Sequence, residues 1–314
     1  MHRTTISLAA LALVAGLASP ALAADTYRFM TGPQGGVWVP LGGALKNLFE
    51  KSIAGVAVQT LPGAGIANVR GIDEGKAEIG FGNSTTTVDG INGAEPYPRK
   101  TANVCNLATL YPQYFQVVAL ADSRINSIKD LKGKSIAVQT RGNTAEIISR
   151  HVLQVHGLKY EDMKVNFMAS YTDAISLMKD GHAQVFTLGT TIPAATVMDL
   201  ASSRDIKLID LADAIEPMRK INPGYTGIEL PPNTYAKQDK PVTKIGYAAH
   251  MIVSCKLSDD HVYAMTKLVA QNMRDLSAVN KAMENVTAKM MAQDIGVPLH
   301  PGAQKYYREV GAAM

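Results

Sequence analysis

Glycine, threonine, serine and asparagine cluster wherever a short apolar segment gives way to a helical pattern. The chemistry open to such clusters is capture of an anion by backbone amides. The clearest follows Tyr27-Arg28-Phe29-Met30: Thr31-Gly32-Pro33-Gln34-Gly35-Gly36, then an apolar stretch from Val37 to Phe49 with Trp38 just inside it. Glycine lets backbone approach a ligand closely, and a helix N-terminus presents unpaired N–H groups and a positive dipole end. A second turn, Leu61-Pro62-Gly63-Ala64-Gly65-Ile66-Ala67-Asn68, is a broken G-x-G-x-x-G with Asn68 at the third glycine position. No ribose-binding acid can be placed on a following strand, so carboxylate or phosphate capture is favoured over a dinucleotide. A third, Gly82-Asn83-Ser84-Thr85-Thr86-Thr87, offers one hydroxyl for capping and others for a solute.

The second half of the chain repeats the device. Gln139-Thr140-Arg141-Gly142-Asn143-Thr144 precedes a helical pattern from Ala145, and Thr187-Leu188-Gly189-Thr190-Thr191 closes another segment. Arg141 is the best single charge partner, because a guanidinium matches a carboxylate in two parallel hydrogen bonds; a solvated surface arginine is an equal reading. Ser170-Tyr171-Thr172 is a weaker candidate. The candidate ligand contacts are therefore Thr31, Gly35, Gly36, Trp38, Gly65, Ile66, Asn68, Asn83, Ser84, Gln139, Arg141, Asn143, Thr144, Gly189 and Thr190. Trp38, the only tryptophan, suits a ligand cover or core packing equally.

Catalytic patterns are sparse. The chain has no G-x-S-x-G, H-E-x-x-H or P-loop. His151 and His156 share a predicted helix, but five residues is a poor same-face spacing. Ser258-Asp259-Asp260 reads as a helix start, and His300 in Pro298-Leu299-His300-Pro301-Gly302 as a turn residue. No metal site or cofactor is expected. The net charge of +4 comes with no Lys/Arg run that would argue for nucleic acid.

The elements that must position these turns alternate. Strands are expected at Tyr27–Thr31, Val56–Leu61, Glu78–Gly82, Phe115–Ala121, Ser135–Gln139, Val165–Met168, Gln184–Leu188, Ile206–Leu211 and Tyr247–Ser254. Helices are expected at 37–51, 67–74, 85–92, 127–131, 145–156, 172–179, 193–202, 259–276 and 279–294. Such alternation implies α/β architecture with parallel sheets covered on both faces. A loose internal echo suggests two lobes joined by two crossing strands, with a ligand cleft between them. Lobe one takes 24–112 plus 250–314, and lobe two takes 113–249. Ligands in open α/β sheets sit beyond the carboxyl ends of the strands, which is where the polar turns fall.

The first residues, 1–23, read as a secretory signal peptide: His2-Arg3, an apolar run from Ile6 to Leu17, and a small-x-small site at Ala21-Leu22-Ala23. A periplasmic chain cleaved after Ala23 is the expectation. Cys105 and Cys255 are the two cysteines. They could pair in an oxidising compartment, but each lies in an apolar run, and buried unpaired thiols are slightly favoured.

Over the whole mature sequence the chain resembles the TAXI branch of TRAP transporter solute receptors. The resemblance rests on Thr31-Gly32-Pro33-Gln34-Gly35-Gly36, on Asn68, on Asp130-Leu131-Lys132-Gly133-Lys134, on Leu257-Ser258-Asp259-Asp260-His261-Val262-Tyr263 and on Pro298-Leu299-His300-Pro301-Gly302-Ala303. It implies a type II periplasmic binding protein fold; a monomer is a separate expectation. The receptor would deliver a small organic solute, often a carboxylate such as glutamate or 2-oxoglutarate, to a TRAP membrane permease driven by an ion gradient. The chain departs from that family at Arg141-Gly142-Asn143-Thr144, where Gly-Ser-Gly-Thr is usual, at Trp38, where Tyr is usual, and at His182-Ala183-Gln184. An ABC importer's binding protein or a sensor kinase's ligand-sensing partner shares the fold and is the alternative. A secreted enzyme would need a nucleophile–base or metal constellation, and a purely adhesive protein would not need these polar turns.

Overall fold

A computed structural model describes residues 25–312, so the expected signal peptide lies outside the described residues. The apolar segments form one continuous ten-stranded sheet. Its strands are β1 (Asp25–Met30), β2 (Val56–Leu61), β3 (Ile79–Asn83), β4 (Cys105–Leu120), β5 (Ser135–Gln139), β6 (Lys164–Met168), β7 (Val185–Thr190), β8 (Ile206–Leu208), β9 (Thr226–Leu230) and β10 (Val242–Val253). The main path runs β2-β1-β3-β10-β4-β7-β5-β6, with β8 on β4 and β9 on β10. Helices α1 (Trp38–Ser52), α2 (Gly65–Asp73) and α3 (Ser84–Asn92) follow the first three strands. In the second half come α4 (Thr144–Val155), α5 (Tyr171–Lys179), α6 (Ala195–Ser203) and α7 (Ile215–Ile221). The chain ends through α8 (Asp259–Gln271), α9 (Met273–Val279), α10 (Ala288–Met291) and α11 (Pro301–Glu309).

The long antiparallel pair β4 and β10 explains the two lobes. Its upper part pairs with β3, through Ala249↔Asn83 to Val253↔Ile79, and its lower part with β7, through Tyr114↔Thr190 to Ala119↔Val185. Each half then shows the same order around the shared pair: β2-β1-β3-β10-β4 in lobe one and β6-β5-β7-β4-β10 in lobe two. The parallel neighbours β1–β2, β1–β3, β5–β6 and β5–β7 all end at the gap between lobes.

Helix patterning sets the cores. Leu41, Leu45 and Phe49 of α1 meet Val262 and Met265 of α8 and Tyr307 of α11 on one face of lobe one. A second core runs across both lobes from Ile66, Val69 and Ile72 of α2 through Phe115 and Tyr247 of the hinge pair to Ile148 and Val152 of α4. The third lies under α5 and α6. Among the described residues no helix is long and apolar enough to cross a membrane.

Several expected elements differ. The strand expected at Phe115–Ala121 is the end of the longer β4, which begins at Cys105. That extension pairs Cys105 with Val253 and carries it to Cys255, and the two cysteines form a disulfide with Cα atoms 5.1 Å apart. The expectation of unpaired thiols is therefore corrected. The pairing depends on a strand register between residues 150 apart, which neither local run reveals. The single helix expected over 279–294 is a short 3-10 turn, Lys281–Met283, and α10, because Asn280 and Thr287 turn their side chains onto local backbone N–H groups. The helix expected at 259–276 breaks at Asn272, whose Nδ2 donates to Leu268 O at 2.8 Å. Ser258 caps α8 as its sequence suggests, and His300, read as a turn residue, caps the unexpected α11 through Nδ1 accepting from Gly302 N at 3.2 Å.

Candidate functional site

Five helices begin at the gap. In lobe one α1, α2 and α3 start at Trp38, Gly65 and Ser84, and none has a side-chain cap. In lobe two α4 and α5 are capped by their own chain: Asn143 Oδ1 accepts from Ala145 N, and Ser170 Oγ from Asp173 N. The first N–H groups of an α-helix have no partner within it, so lobe one keeps the freer set of donors. Between them lies a cavity lined by Pro33, Gly36, Val37, Trp38, Gly65, Asn83, Gln113, Asn143, Ala145, Tyr171, Gly189, Thr190 and Tyr247. No charged side chain lines it. The positive potential comes from helix ends, reinforced by amide and hydroxyl groups.

The lobes are shut on this cavity. Ala67 N donates to Gly142 O at 3.0 Å and Tyr171 N to Gln34 O at 3.0 Å, and Thr86 Oγ1 lies 3.1 Å from Thr144 Oγ1. Glycines permit the approach. A Cβ on Gly65 would stand 2.1 Å from Thr144 Oγ1, one on Gly189 2.0 Å from the Tyr247 hydroxyl, and one on Gly35 2.6 Å from Thr172 Oγ1. The remaining cavity measures about 20 Å³, room for about one water.

Of the residues singled out from sequence, Gly36, Trp38, Gly65, Asn83, Asn143, Gly189 and Thr190 line the cavity. Trp38 also stacks on Phe81, with centroids 5.2 Å apart. Asn83 Oδ1 accepts from Gln113 Nε2 at 2.7 Å, which fixes that amide at the cavity floor. Thr144 and Gly35 make the lobe-to-lobe contacts just described.

Others hold the turns in place. Thr31 Oγ1 donates to Leu61 O at 2.9 Å. Asn68 is fully buried; its Oδ1 accepts from Ala64 N at 3.0 Å and its Nδ2 donates to Thr31 O and Phe81 O at 2.8 and 2.9 Å, so it ties the second turn to the ends of β1 and β3. Ile66 is core. Gln139 is buried, with Nε2 3.4 Å from Thr187 O and Oε1 without a partner. Ser84 Oγ accepts from Ala248 N on the far side of the hinge pair. Arg141 is exposed and outside the cavity lining.

Sequence reading passed over Gln113 and Tyr247, which project from the crossing strands onto the cavity floor, and underrated Tyr171. The signal was present: Gln113 and Tyr247 are hydrogen-bonding side chains inside otherwise apolar strands, and they pair directly across β4 and β10. Tyr171 OH donates to Gly189 O at 3.1 Å, and burial pushes its hydroxyl up to about 12. Burial likewise raises Tyr247 well above the usual tyrosine value. Both remain neutral hydroxyls at ordinary pH; Tyr171 spends its proton on Gly189 O, and Tyr247 is the one able to donate to a solute. Among the described residues no cluster of His, Cys, Asp and Glu could hold a metal ion.

Solved structures share this fold at low identity. PhnD1 from Prochlorococcus marinus (MIT 9301), determined in complex with methylphosphonate, is 13% identical with a TM-score of 0.53, over 91% of this chain and 98% of that one. An ancestral arginine-binding protein bound to arginine is 16% identical with a TM-score of 0.51, over 82% and 96%. The substrate-binding protein of an amino acid ABC transporter is 12% identical with a TM-score of 0.50, over 83% and 98%. The two-lobed α/β architecture is thus shared with these binding proteins. At the level of sequence, a family model matches residues 29–311, and the chain belongs to the NMT1-like family.

Proposed function

We propose that this chain is a periplasmic solute-binding protein that captures a small organic anion or amino acid between its lobes and delivers it to a membrane permease. The observation that carries the reading is the convergence of three uncapped helix N-termini from lobe one on a gap that lobe two shuts. An anionic group suits those N–H donors, and Trp38, Tyr171 and Tyr247 offer aromatic walls to the rest of the solute. The solute docks first on lobe one; closure of lobe two through Asn143, Thr144, Gly189 and Thr190 buries it. Closure is favoured only by the solute's differential affinity for the shut form. Binding and release need no bond chemistry. Arg141, at the exposed lip, attracts anions without being buried against them. The division into lobes near residues 113 and 250, and a monomeric receptor, belong to the same reading.

The partner permease has two readings. The fold neighbour named for amino acid ABC transport favours an ATP-driven importer. The segments Leu257–Tyr263 and Pro298–Ala303 favour the ion-gradient TRAP permease. Uptake into vesicles carrying the permease encoded beside this gene separates them, since one requires ATP and the other a cation gradient. The solute class is tested by melting curves against phosphonates, sulfonates, carboxylates and amino acids. A true ligand at a hundred times its Kd adds about 2.7 kcal/mol of stability. A panel of all four classes that leaves Tm unmoved would sink anion capture.

A further inference from the structure

A second cavity lies behind the hinge. Alternation along a strand sends successive side chains to opposite faces. Gln113 lines the cleft cavity, Tyr247 borders both cavities, and the next pair, Pro112 and Ala248, floors the second, a cavity of about 610 Å³. Its walls come from both lobes: Thr85, Val88 and Asn92 of α3 with Met290 and Ile295 on one side, and Asn222 to Ile228 of lobe two on the other. This volume lies in the range of small-molecule sites, whereas the shut cleft holds about one water.

We propose that this cavity binds a compact, uncharged, largely apolar molecule, and that its occupancy favours the shut cleft. Charge is excluded by the lining, which contains no Asp, Glu, Lys, Arg or His. Three of the polar side chains there are spent on the protein: Asn222 Nδ2 donates to Asp89 Oδ1 and Asn222 Oδ1 accepts from Gly224 N, each at 2.9 Å, Ser84 Oγ accepts from Ala248 N at 3.1 Å, and Thr109 Oγ1 donates to Gln293 O at 3.3 Å. Thr85 is a buried wall residue whose hydroxyl has no partner. The coupling follows from position. The cavity's walls belong to different lobes and meet through Asn222 and Asp89 in the shut form. A molecule touching both walls adds contacts to that form and so favours it.

The probe is N-phenyl-1-naphthylamine, which is neutral and fluoresces in apolar surroundings. Wild-type protein should show saturable one-to-one binding. Ala248→Trp, which fills the floor, and Thr226→Trp, on the exposed opposite wall, should each weaken it at least tenfold, with unchanged far-UV circular dichroism as the folding control. Lys289→Trp, in the neighbouring groove on the surface of lobe one, should leave it unchanged. Absence of saturable binding, or binding untouched by both filling substitutions, overturns the site. For the coupling, Ala67→Cys with Gly142→Cys, whose Cβ positions lie 3.7 Å apart across the lobes, should lock the cleft when oxidised. The locked form should bind the probe several-fold more tightly than Ala67→Ser with Gly142→Ser, and equal or weaker binding overturns the coupling.

Discussion

Gly65 is a residue whose importance lies in what it lacks. The space a side chain would fill is taken by Thr144 Oγ1 at 2.1 Å and Asn83 Nδ2 at 2.8 Å, both on the cleft. Gly65→Ala should therefore hold the lobes apart and weaken solute retention roughly tenfold, about 1.4 kcal/mol, read by calorimetry with whichever ligand raises Tm. Unchanged affinity would mean the lobes do not approach this closely around solute. His250 carries a pH signature. Its buried ring bridges Thr87 Oγ1 at 2.8 Å and Asn106 Oδ1 at 3.1 Å, and burial pulls it down to about 3. The unfolded ring takes its proton near pH 6.5, so the unfolded state binds more protons between those values and stability falls as pH falls through them. About 3 kcal/mol should be lost by pH 4, and urea titrations of His250→Gln should show a flatter loss. At this scale seven residues of the candidate cavity's lining are legible in the sequence, because Gly, Asn and Thr beside a helix start have a local meaning. Asn68 and Ser84 bond to backbone outside that lining, because a side chain's direction depends on its neighbours. Asn68 is consumed by three backbone segments, and Ser84 by Ala248 across the hinge.

Among the elements, β4 and β10 carry the mechanical role, and both contain anomalies that a strand pattern alone does not explain. Lys244 on β10 is fully buried, with Nζ donating to Ile209 O at 2.7 Å; burial draws its amine down to about 7, against a smaller opposing pull from Asp210. The unfolded lysine keeps its proton to about 10.5, so the unfolded state binds more protons between about 7 and 10.5 and stability rises with pH across that window, by up to about 1.4 kcal/mol per unit. Lys244→Met should flatten the rise, and a slope identical to wild type would show that the amine is solvated. The disulfide joins the two hinge strands at their lobe-one end, closing a loop of 150 residues. Replacing both cysteines with serine should cost about 2–5 kcal/mol in denaturant titrations; a loss below 1 kcal/mol would show that strand pairing alone fixes this end. Elements with a strong local period, such as α1, β2 and β5, were legible from sequence. The long start of β4 was not, because its partner on β10 lies far along the chain, nor was β9, whose mostly exposed residues carry no apolar alternation.

For the molecule as a whole, the two lobes must separate for any solute larger than water to enter. The contacts that shut them are few: Ala67 N to Gly142 O, Tyr171 N to Gln34 O and the Thr86–Thr144 pair at the cleft, with Asn222 to Asp89 and Arg150 to Glu95 at the periphery. Single hydrogen bonds contribute about 1 kcal/mol each net of water, so opening lies within the range that a bound solute can bias. The Ala67→Cys, Gly142→Cys pair tests the motion directly. Its Cβ separation of 3.7 Å matches the usual disulfide spacing. Gly142 sits at φ +95°, where a side chain is strained, so the variant should melt lower before oxidation. Oxidised without solute, it should keep a compact scattering profile and fail to bind the phosphonate, sulfonate, carboxylate or amino acid that shifts the wild-type Tm, while the matched Ala67→Ser, Gly142→Ser protein binds. If the oxidised form binds as well as that control, solute enters by a route that leaves this contact closed, and the hinge reading fails.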